Sequence, residues 1–322
     1  MPIKAKTPVK KAATKAVAPA AAVTRARAGS AAPSGRIGVR KTYKLYIGGA
    51  FPRSESGRSY PVQGPDGELL AHAAQASRKD LRDAVTAARK AVSGWSGATA
   101  YNRGQILYRI AEMMEGRREQ FAAEVLAAEG GSGSAAHAQV DAAIDRWVWY
   151  AGWTDKYAQV VGGANPVAGP YFNFSLPEPT GVVGVIAPQE SSLLGFVSVV
   201  APVIATGNTV VVVASSDRPL PAVSLSEALA TSDLPGGVIN LLTGSAAELA
   251  PWLAAHRDVN ALDLTGVAPA ARVALAEAAA DNVKRVFSPA ADDRSVAAGD
   301  DPGIARLGAF TETKTVWHPT GV

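Results

Sequence analysis

Pro179-Thr180-Gly181-Val182-Val183-Gly184-Val185-Ile186-Ala187 opens the part of the chain whose reading decides the fold. Residues 182–187 are apolar without alternation, which is the pattern of a strand covered on both faces. A helix-length apolar segment follows at 194–206, and then Val210, Val211, Val212 and Val213 stand in a row. β-Branched runs of this kind pack well on a pleated surface. The alternation continues with a helix at 222–232, a strand at 238–242, a helix at 246–256, a strand at 260–264, a helix at 269–280 and a strand at 283–287. Five short strands separated by helices predict an α/β fold with a Rossmann-like five-stranded parallel sheet and right-handed crossovers.

Working backwards, the period changes to that of helices. Leu81, Val85, Ala88 and Val92 share one helical face, with Asp80 as the expected N-cap. A second helix is expected over 101–116, with Ile106, Leu107, Ile110, Met113 and Met114 turned inward. A third covers 119–129 and stops at Gly130-Gly131; a fourth covers 135–152. It runs into Trp147, Trp149, Tyr150 and Trp153, whose helical spacing fits packing better than ligand stacking. Residues 43–49 read as a short strand ending in a Gly turn. Residues 288–309 are polar and read as a linker, and 310–318 as a final extended segment.

Charge divides the chain. Residues 1–41 hold ten Lys or Arg and no acid, the first acid being Glu55. The remaining residues, 42–322, carry 22 basic against 28 acidic side chains. The body is therefore acidic, and the tail alone makes the chain basic. Residues 1–36 lack any aromatic residue and repeat Ala, Lys, Pro, Thr and Val. Such composition cannot offset its ordering entropy, so a disordered tethering tail over 1–41 is expected. Its cations make polyanion or nucleic-acid binding through residues 4–41 the alternative. No apolar stretch is long enough to span a bilayer, which predicts a cytoplasmic protein without membrane contact. His72, His137, His256 and His318 show no metal-ligand spacing. No Gly-x-Ser-x-Gly elbow appears around Ser191 or Ser192.

Several fragments, in order, resemble the aldehyde dehydrogenase superfamily. They are Leu45-Tyr46-Ile47-Gly48-Gly49, Gly67-Glu68-Leu69-Leu70-Ala71, the 179–186 stretch, Gly207-Asn208-Thr209-Val210-Val211, Leu234-Pro235-Gly236-Gly237-Val238-Ile239-Asn240 and Leu264-Thr265-Gly266. The likeness spans about residues 43–287. It implies NAD or NADP as cofactor and catalysis through a cysteine thiolate, a nucleophile that forms an acyl-enzyme. Yet the sequence contains no cysteine.

The positions that the resemblance assigns to cofactor binding have also changed. The family's Pro-Trp-Asn-Phe-Pro turn reads Pro188-Gln189-Glu190-Ser191-Ser192 here, after Ala187. An acceptor at Glu190 would replace the family's oxyanion-binding Asn. The ribose-gripping Lys-Pro-Ser-Glu becomes Val213-Ala214-Ser215-Ser216. The family's Gly-x-Gly-x-x-x-Gly becomes Gly244, Ala246 and Ala250, and its Thr-Gly-Ser becomes Thr265-Gly266-Val267, with Ala271 in place of a later glycine. These changes imply lost dinucleotide binding. After Val286 the sequence turns directly to Phe287-Ser288-Pro289, without the family's general-base glutamate or the roughly 200-residue catalytic domain that the resemblance leads one to expect.

Phe310, Thr311, Thr313, Thr315 and Trp317 match the family's last strand, which lies in an oligomerisation arm. The arm's hairpin is expected at about 153–178. The expected function is a catalytically inactive scaffold or regulatory subunit that associates with a full-length aldehyde dehydrogenase, similar to the degenerate second module of tandem enzymes. Two alternatives stand beside it: an oxidoreductase subunit whose catalytic residues come in trans, and a basic-tailed nucleic-acid binder.

Overall fold

The computed structural model describes residues 40–289 and 302–321. The expected disordered tail falls almost wholly outside them. In chain order the elements begin with β1 (Thr42–Tyr43), β2 (Ser59–Gln63) and β3 (Leu69–Ala74). Four helices follow: α1 (Arg78–Gly97), α2 (Ala100–Glu115), α3 (Arg118–Glu129) and α4 (Gly133–Trp153). Next come α5 (Tyr157–Val161), β4 (Gly163–Asn165) and β5 (Tyr171–Pro179). The alternating half comprises β6 (Val182–Ile186), α6 (Leu194–Ala205), β7 (Thr209–Val213), α7 (Leu220–Leu229), β8 (Ile239–Leu242), α8 (Ala246–Ala255), β9 (Ala261–Asp263), α9 (Pro269–Ala280) and β10 (Arg285–Phe287). The chain ends in α10 (Ala305–Ala309) and β11 (Thr311–Pro319).

The five-stranded parallel sheet has the order β10-β9-β6-β7-β8. Every residue of β6, β7, β8 and β9 is buried, as strands with helices on both faces must be. One layer of core joins α2, α3, α4, α6 and α7, together with Trp95 near the end of α1, to one face of this sheet through Trp147, Phe196 and Val212. The other layer sets Leu81, Val85, Leu249, Leu253 and Leu275 of α1, α8 and α9 against Val211 and Val213. Three side-chain amides tie loops to strands, those of Asn208 and Asn240 being buried and that of Asn260 partly exposed. Asn208 accepts from the Gly181 amide at 2.7 Å and donates to the Phe310 carbonyl at 2.9 Å. Asn240 accepts from the Gly48 amide at 2.9 Å, and Asn260 from the Val182 amide at 3.0 Å.

Several boundaries differ from expectation for identifiable reasons. Ser77, not Asp80, caps α1: its hydroxyl accepts from the Asp80 amide, and the Asp80 carboxylate accepts from the Ser77 amide at 2.7 Å. That reciprocal pair is a capping box, which places the acid at the third helical position. The expected strand at 43–49 shrinks to Thr42–Tyr43 and an isolated bridge from Tyr46 to Leu241. The β2–β3 hairpin was not anticipated. Part of the expected linker is helical: α10 buries Leu307 and Arg306. The first part of the expected arm hairpin is also helical, as α5, and its strands are β4 and β5.

The arm is a separate sheet of order β11-β5-β4. β11 pairs antiparallel with β5 over nine residue pairs, from Thr311 opposite Pro179 to Pro319 opposite Tyr171. One face carries a polar ladder in which Ser175 and Thr315 share a hydrogen bond of 2.8 Å and Asn165 donates to Asn173 at 2.6 Å. The other face sets Phe172, Phe174 and Leu176 around a shallow apolar groove of about 410 Å³. Among the described residues, no helix is long and apolar enough to cross a membrane.

Candidate functional site

In an open parallel sheet, ligands bind outside the carboxyl ends of the strands, where the strand order reverses. Here that point is the end of β6, flanked by β9 on one side and β7 on the other. The loops after β6, β7, β8 and β9 carry Ala187, Pro188, Glu190, Ser215, Ser216, Gly244, Thr265, Gly266 and Val267, with Val213 at the end of β7. The structure therefore gathers all ten sequence-identified positions on one edge of the sheet. Backbone bonds lock them together. The Ala187 amide donates to the Val213 carbonyl at 3.0 Å, and the Gly266 amide to the Ile186 carbonyl at 2.9 Å.

Gly266 is required by contact. A Cβ there would lie 1.8 Å from the Ala187 carbonyl oxygen, far inside any tolerable distance. Val213 and Val267 are buried and present apolar surface rather than a charge. Glu190 is exposed, and its carbonyl accepts from the Arg218 guanidinium, which turns the loop's cation onto the backbone.

Several amides at the starts of α6 and α8, and in the loop before α6, are bonded to side chains of the protein itself, whereas α7 and α9 have no side-chain cap. The Ser192 amide and hydroxyl donate to the Glu129 carboxylate at 2.6 and 2.7 Å. The Gly195 amide, in the first turn of α6, donates to the Ser191 hydroxyl at 2.9 Å. The Ala246 amide opening α8 donates to the Ser216 hydroxyl at 3.1 Å, and the Glu248 amide to Ser245 at 3.2 Å. Gln189 fills the space between β6 and β7: it donates to the Ala187 carbonyl at 2.6 Å and accepts from the Ser216 amide at 3.0 Å. The Ser215 hydroxyl donates to the Gln189 carbonyl at 2.7 Å. A cavity of about 510 Å³ opens beside the ends of β7 and β8, lined by Tyr60, Gln75, Ser216, Asp217 and Gly244 among others. Asp217 is its one charged lining residue. Burial pushes the Tyr60 phenol well above its usual range, so it stays neutral.

Sequence reasoning missed three participants. Glu129 read only as the end of a helix before Gly130-Gly131. Gln189 counted only as a departure from a motif. Arg306, in the supposed linker, reaches the buried end of β9 and pairs with Asp263 at 3.0 Å. Asp263 also accepts from the Thr265 amide at 2.8 Å and from its hydroxyl. Burial pushes the Asp263 carboxyl above its ordinary range, against the opposing pull of Arg306 and Thr265. An acid in a β9 pattern can be found by eye, but its partner 43 residues away cannot.

The residues matched to the family's last strand separate into two groups. Phe310 is buried, packs edge-to-face against Phe287 with ring centres 6.0 Å apart, and its carbonyl accepts from Thr180 as well as Asn208. It is an internal anchor here. Thr311 contacts the Tyr157 hydroxyl at 3.1 Å, whereas Thr313, Thr315 and Trp317 are exposed.

A doubly wound α/β body with a detached β arm is the class that this fold and edge define. Residues 51–289 match the aldehyde dehydrogenase family. The chain belongs to that family. It is 35% identical to the mitochondrial benzaldehyde dehydrogenase of Antirrhinum majus over 248 residues, covering 76% of this chain and 46% of that one. Against human retinal dehydrogenase 2 the identity is 33%, covering 79% and 49%. Among solved structures, the NAD+ complex of a Bacillus cereus aldehyde dehydrogenase superposes with a TM-score of 0.72 at 26% identity, covering 76% and 50%. A Burkholderia cenocepacia aldehyde dehydrogenase gives 0.72 at 31% identity, covering 76% and 51%. The chain thus spans about half the length of the relatives it matches.

The family implies a nicotinamide dinucleotide, and the residues present do not fit one. A pyrophosphate needs free amides at a helix N-terminus and gains from nearby cations. Here amides of α6 and α8 are bonded to Ser191, Ser216 and Ser245, and the cavity presents a carboxylate.

Proposed function

We propose that this chain is a catalytically inactive aldehyde dehydrogenase-like scaffold or regulatory subunit that associates with a full-length member of its family in the cytoplasm. The carboxyl edge of the sheet carries this reading, because amides at the starts of α6 and α8 are bonded to the chain's own acceptors and, among the described residues, no cation lines the cavity there. The composition supports it: without cysteine no thiolate can attack an aldehyde. Residues 288–310 are all that separate β10 from β11, where the resemblance places a catalytic domain. Association rests on β11, a nine-residue edge strand with one side unpaired within its sheet. Open strand edges accept another strand.

The tests are direct. Calorimetric titration with NAD and NADP is expected to show no micromolar binding. Replacing two charged partners costs roughly a hundredfold or more in affinity at about 1.5–3 kcal/mol each. Co-expression with a full-length relative, followed by size-exclusion chromatography with light scattering, is expected to give a mixed oligomer. Trp317→Glu, or removal of residues 311–321, is expected to dissolve it. A monodisperse monomer that ignores its relative would defeat the association. Micromolar dinucleotide affinity would instead favour the second reading, an oxidoreductase subunit completed in trans. That reading draws on the NAD+ bound in the Bacillus cereus structure. A nucleic-acid role through residues 4–41 concerns a segment outside the described residues, and salt-sensitive retention on DNA would single it out.

A further inference from the structure

A groove of about 690 Å³ lies between the first turns of α1 and the last turn of α8. It shares no lining residue with the cavity at the carboxyl edge. Its walls hold Arg78, Lys79, Arg82 and Arg257, with Glu55 the one acid among the lining residues. Glu55 is already held by Lys79 at 3.1 Å and by the Ser77 hydroxyl at 3.1 Å. Arg82 is held by Asp83 at 2.7 Å. Among the described residues, neither the Arg78 nor the Arg257 guanidinium has a hydrogen-bonded or ion-pair partner. The groove is therefore cationic on a body, residues 42–322, that carries more acid than base.

Two further features shape it. The Arg78 guanidinium lies 4.0 Å from the centre of the Trp252 ring, and Trp252 is 42% exposed. Stacking on indole holds a guanidinium in one plane and leaves its edge N–H groups free. His256 also lines the groove. Its Nδ1 accepts from the Asp258 amide at 3.2 Å, so the neutral ring carries its proton on Nε2. The groove thus offers two guanidinium forks, with an imidazole among its lining side chains, beside an exposed indole wall.

We propose that this groove binds a small phosphorylated ligand, its phosphoryl oxygens held by Arg78 and Arg257 and its organic part lying against Trp252. Guanidinium forks match phosphate geometry bidentately, which a lysine-lined surface does not. The site does not depend on dinucleotide binding or on association with a relative.

The experiment uses the full chain grown with 5-fluorotryptophan, with the Trp252 resonance assigned by Trp252→Phe. Inorganic pyrophosphate is titrated against a sulfate control at matched ionic strength, and calorimetry is run in parallel. A saturable shift of the Trp252 resonance with pyrophosphate, absent with sulfate, is the expected result. Arg78→Ala and Arg257→Ala are each expected to weaken the midpoint by about tenfold or more, as loss of a charge-assisted pair does. Arg78→Lys is expected to recover only part, since it keeps the charge and loses the fork. Binding heat with an unmoved Trp252 resonance would place the anion elsewhere in the chain and overturn the proposal. So would a midpoint unchanged in the Arg78→Ala, Arg257→Ala double variant, or an equal response to sulfate.

Discussion

Arg306→Ala is expected to destabilise the fold by about 3–5 kcal/mol, the usual cost of removing one member of a buried ion pair. The guanidinium is 11% exposed at its side chain and the Asp263 carboxylate is fully buried, so solvent screens little of their 3.0 Å contact. The variant also loses a 3.3 Å bond from Arg306 to the Thr265 hydroxyl and the stacking of Arg306 on Phe287 at 5.0 Å. What remains around Asp263 is the Thr265 amide and hydroxyl, too little for a carboxylate without water. The cost is a large part of the roughly 5–15 kcal/mol that holds a typical domain together. It should also depend on pH. Asp263 already has its carboxyl raised by burial, and losing Arg306 raises it further. The folded protein then holds a proton that the unfolded chain has released. The deficit relative to the unsubstituted protein is therefore complete above the variant's raised folded value and fades as pH falls through it towards the value that Asp263 has beside Arg306. Urea unfolding followed by tryptophan fluorescence, repeated across that range, measures both effects. Asp263→Ala, Arg306→Met removes both charges and should recover most of the loss. A single-variant loss below about 1 kcal/mol, or a double variant no better than the single, would refute the pairing as a determinant of stability.

Gly266→Ala should be still less tolerated for its size, because the new methyl meets the Ala187 carbonyl, a backbone atom with no room to retreat. A loss of about 3 kcal/mol or more in the same unfolding assay is expected, the upper range for overpacking, and a near-neutral result would mean that the loop after β9 can move. His256 and His137 should titrate on opposite sides of 6.5 in proton NMR. His256 is lowered by burial, and His137 is raised by its bonds to the Gly133 carbonyl and Glu119. His256 consequently contributes stability that is complete above the unfolded value near 6.5 and is lost as pH falls through its lowered folded value; His256→Gln should flatten that acid limb.

The parallel sheet was legible because its strands are buried on both faces and so read as unbroken apolar runs. The caps of α2, α4 and α8 at Thr99, Ser132 and Ser245 were not read from the sequence, although each is a residue type that accepts from the helix's first amides. The β2–β3 hairpin was hidden because Pro61 and the run Leu69-Leu70-Ala71 disturb strict alternation. Strand order was not legible: nothing local places β9 rather than β8 beside β6. At the candidate site, the ten positions read from the sequence lie together on the sheet edge, but the bonds between them, and the part played by Gln189, were not legible. Gln189 and Glu129 act through reach and direction, and both depend on packing between distant elements. Arg306 was illegible because a cation in a polar stretch looks like solvent-facing linker until its acid is found.

The pairing of β11 with β5 also has a consequence for synthesis. Thr315 meets Ser175 across 140 residues of chain, and Phe310 must reach Asn208 and Thr180 before its carbonyl is satisfied. While a ribosome is still translating the alternating half, β5 lacks its principal partner and Asn208 one of its acceptors. Closing so long a loop is slow, because chain entropy is lost before the new contacts repay it. The arm is thus the last part of the described fold that can form on the nascent chain. Until then Phe172, Phe174 and Leu176 stand beside an open strand edge, the kind of surface through which incompletely folded chains aggregate.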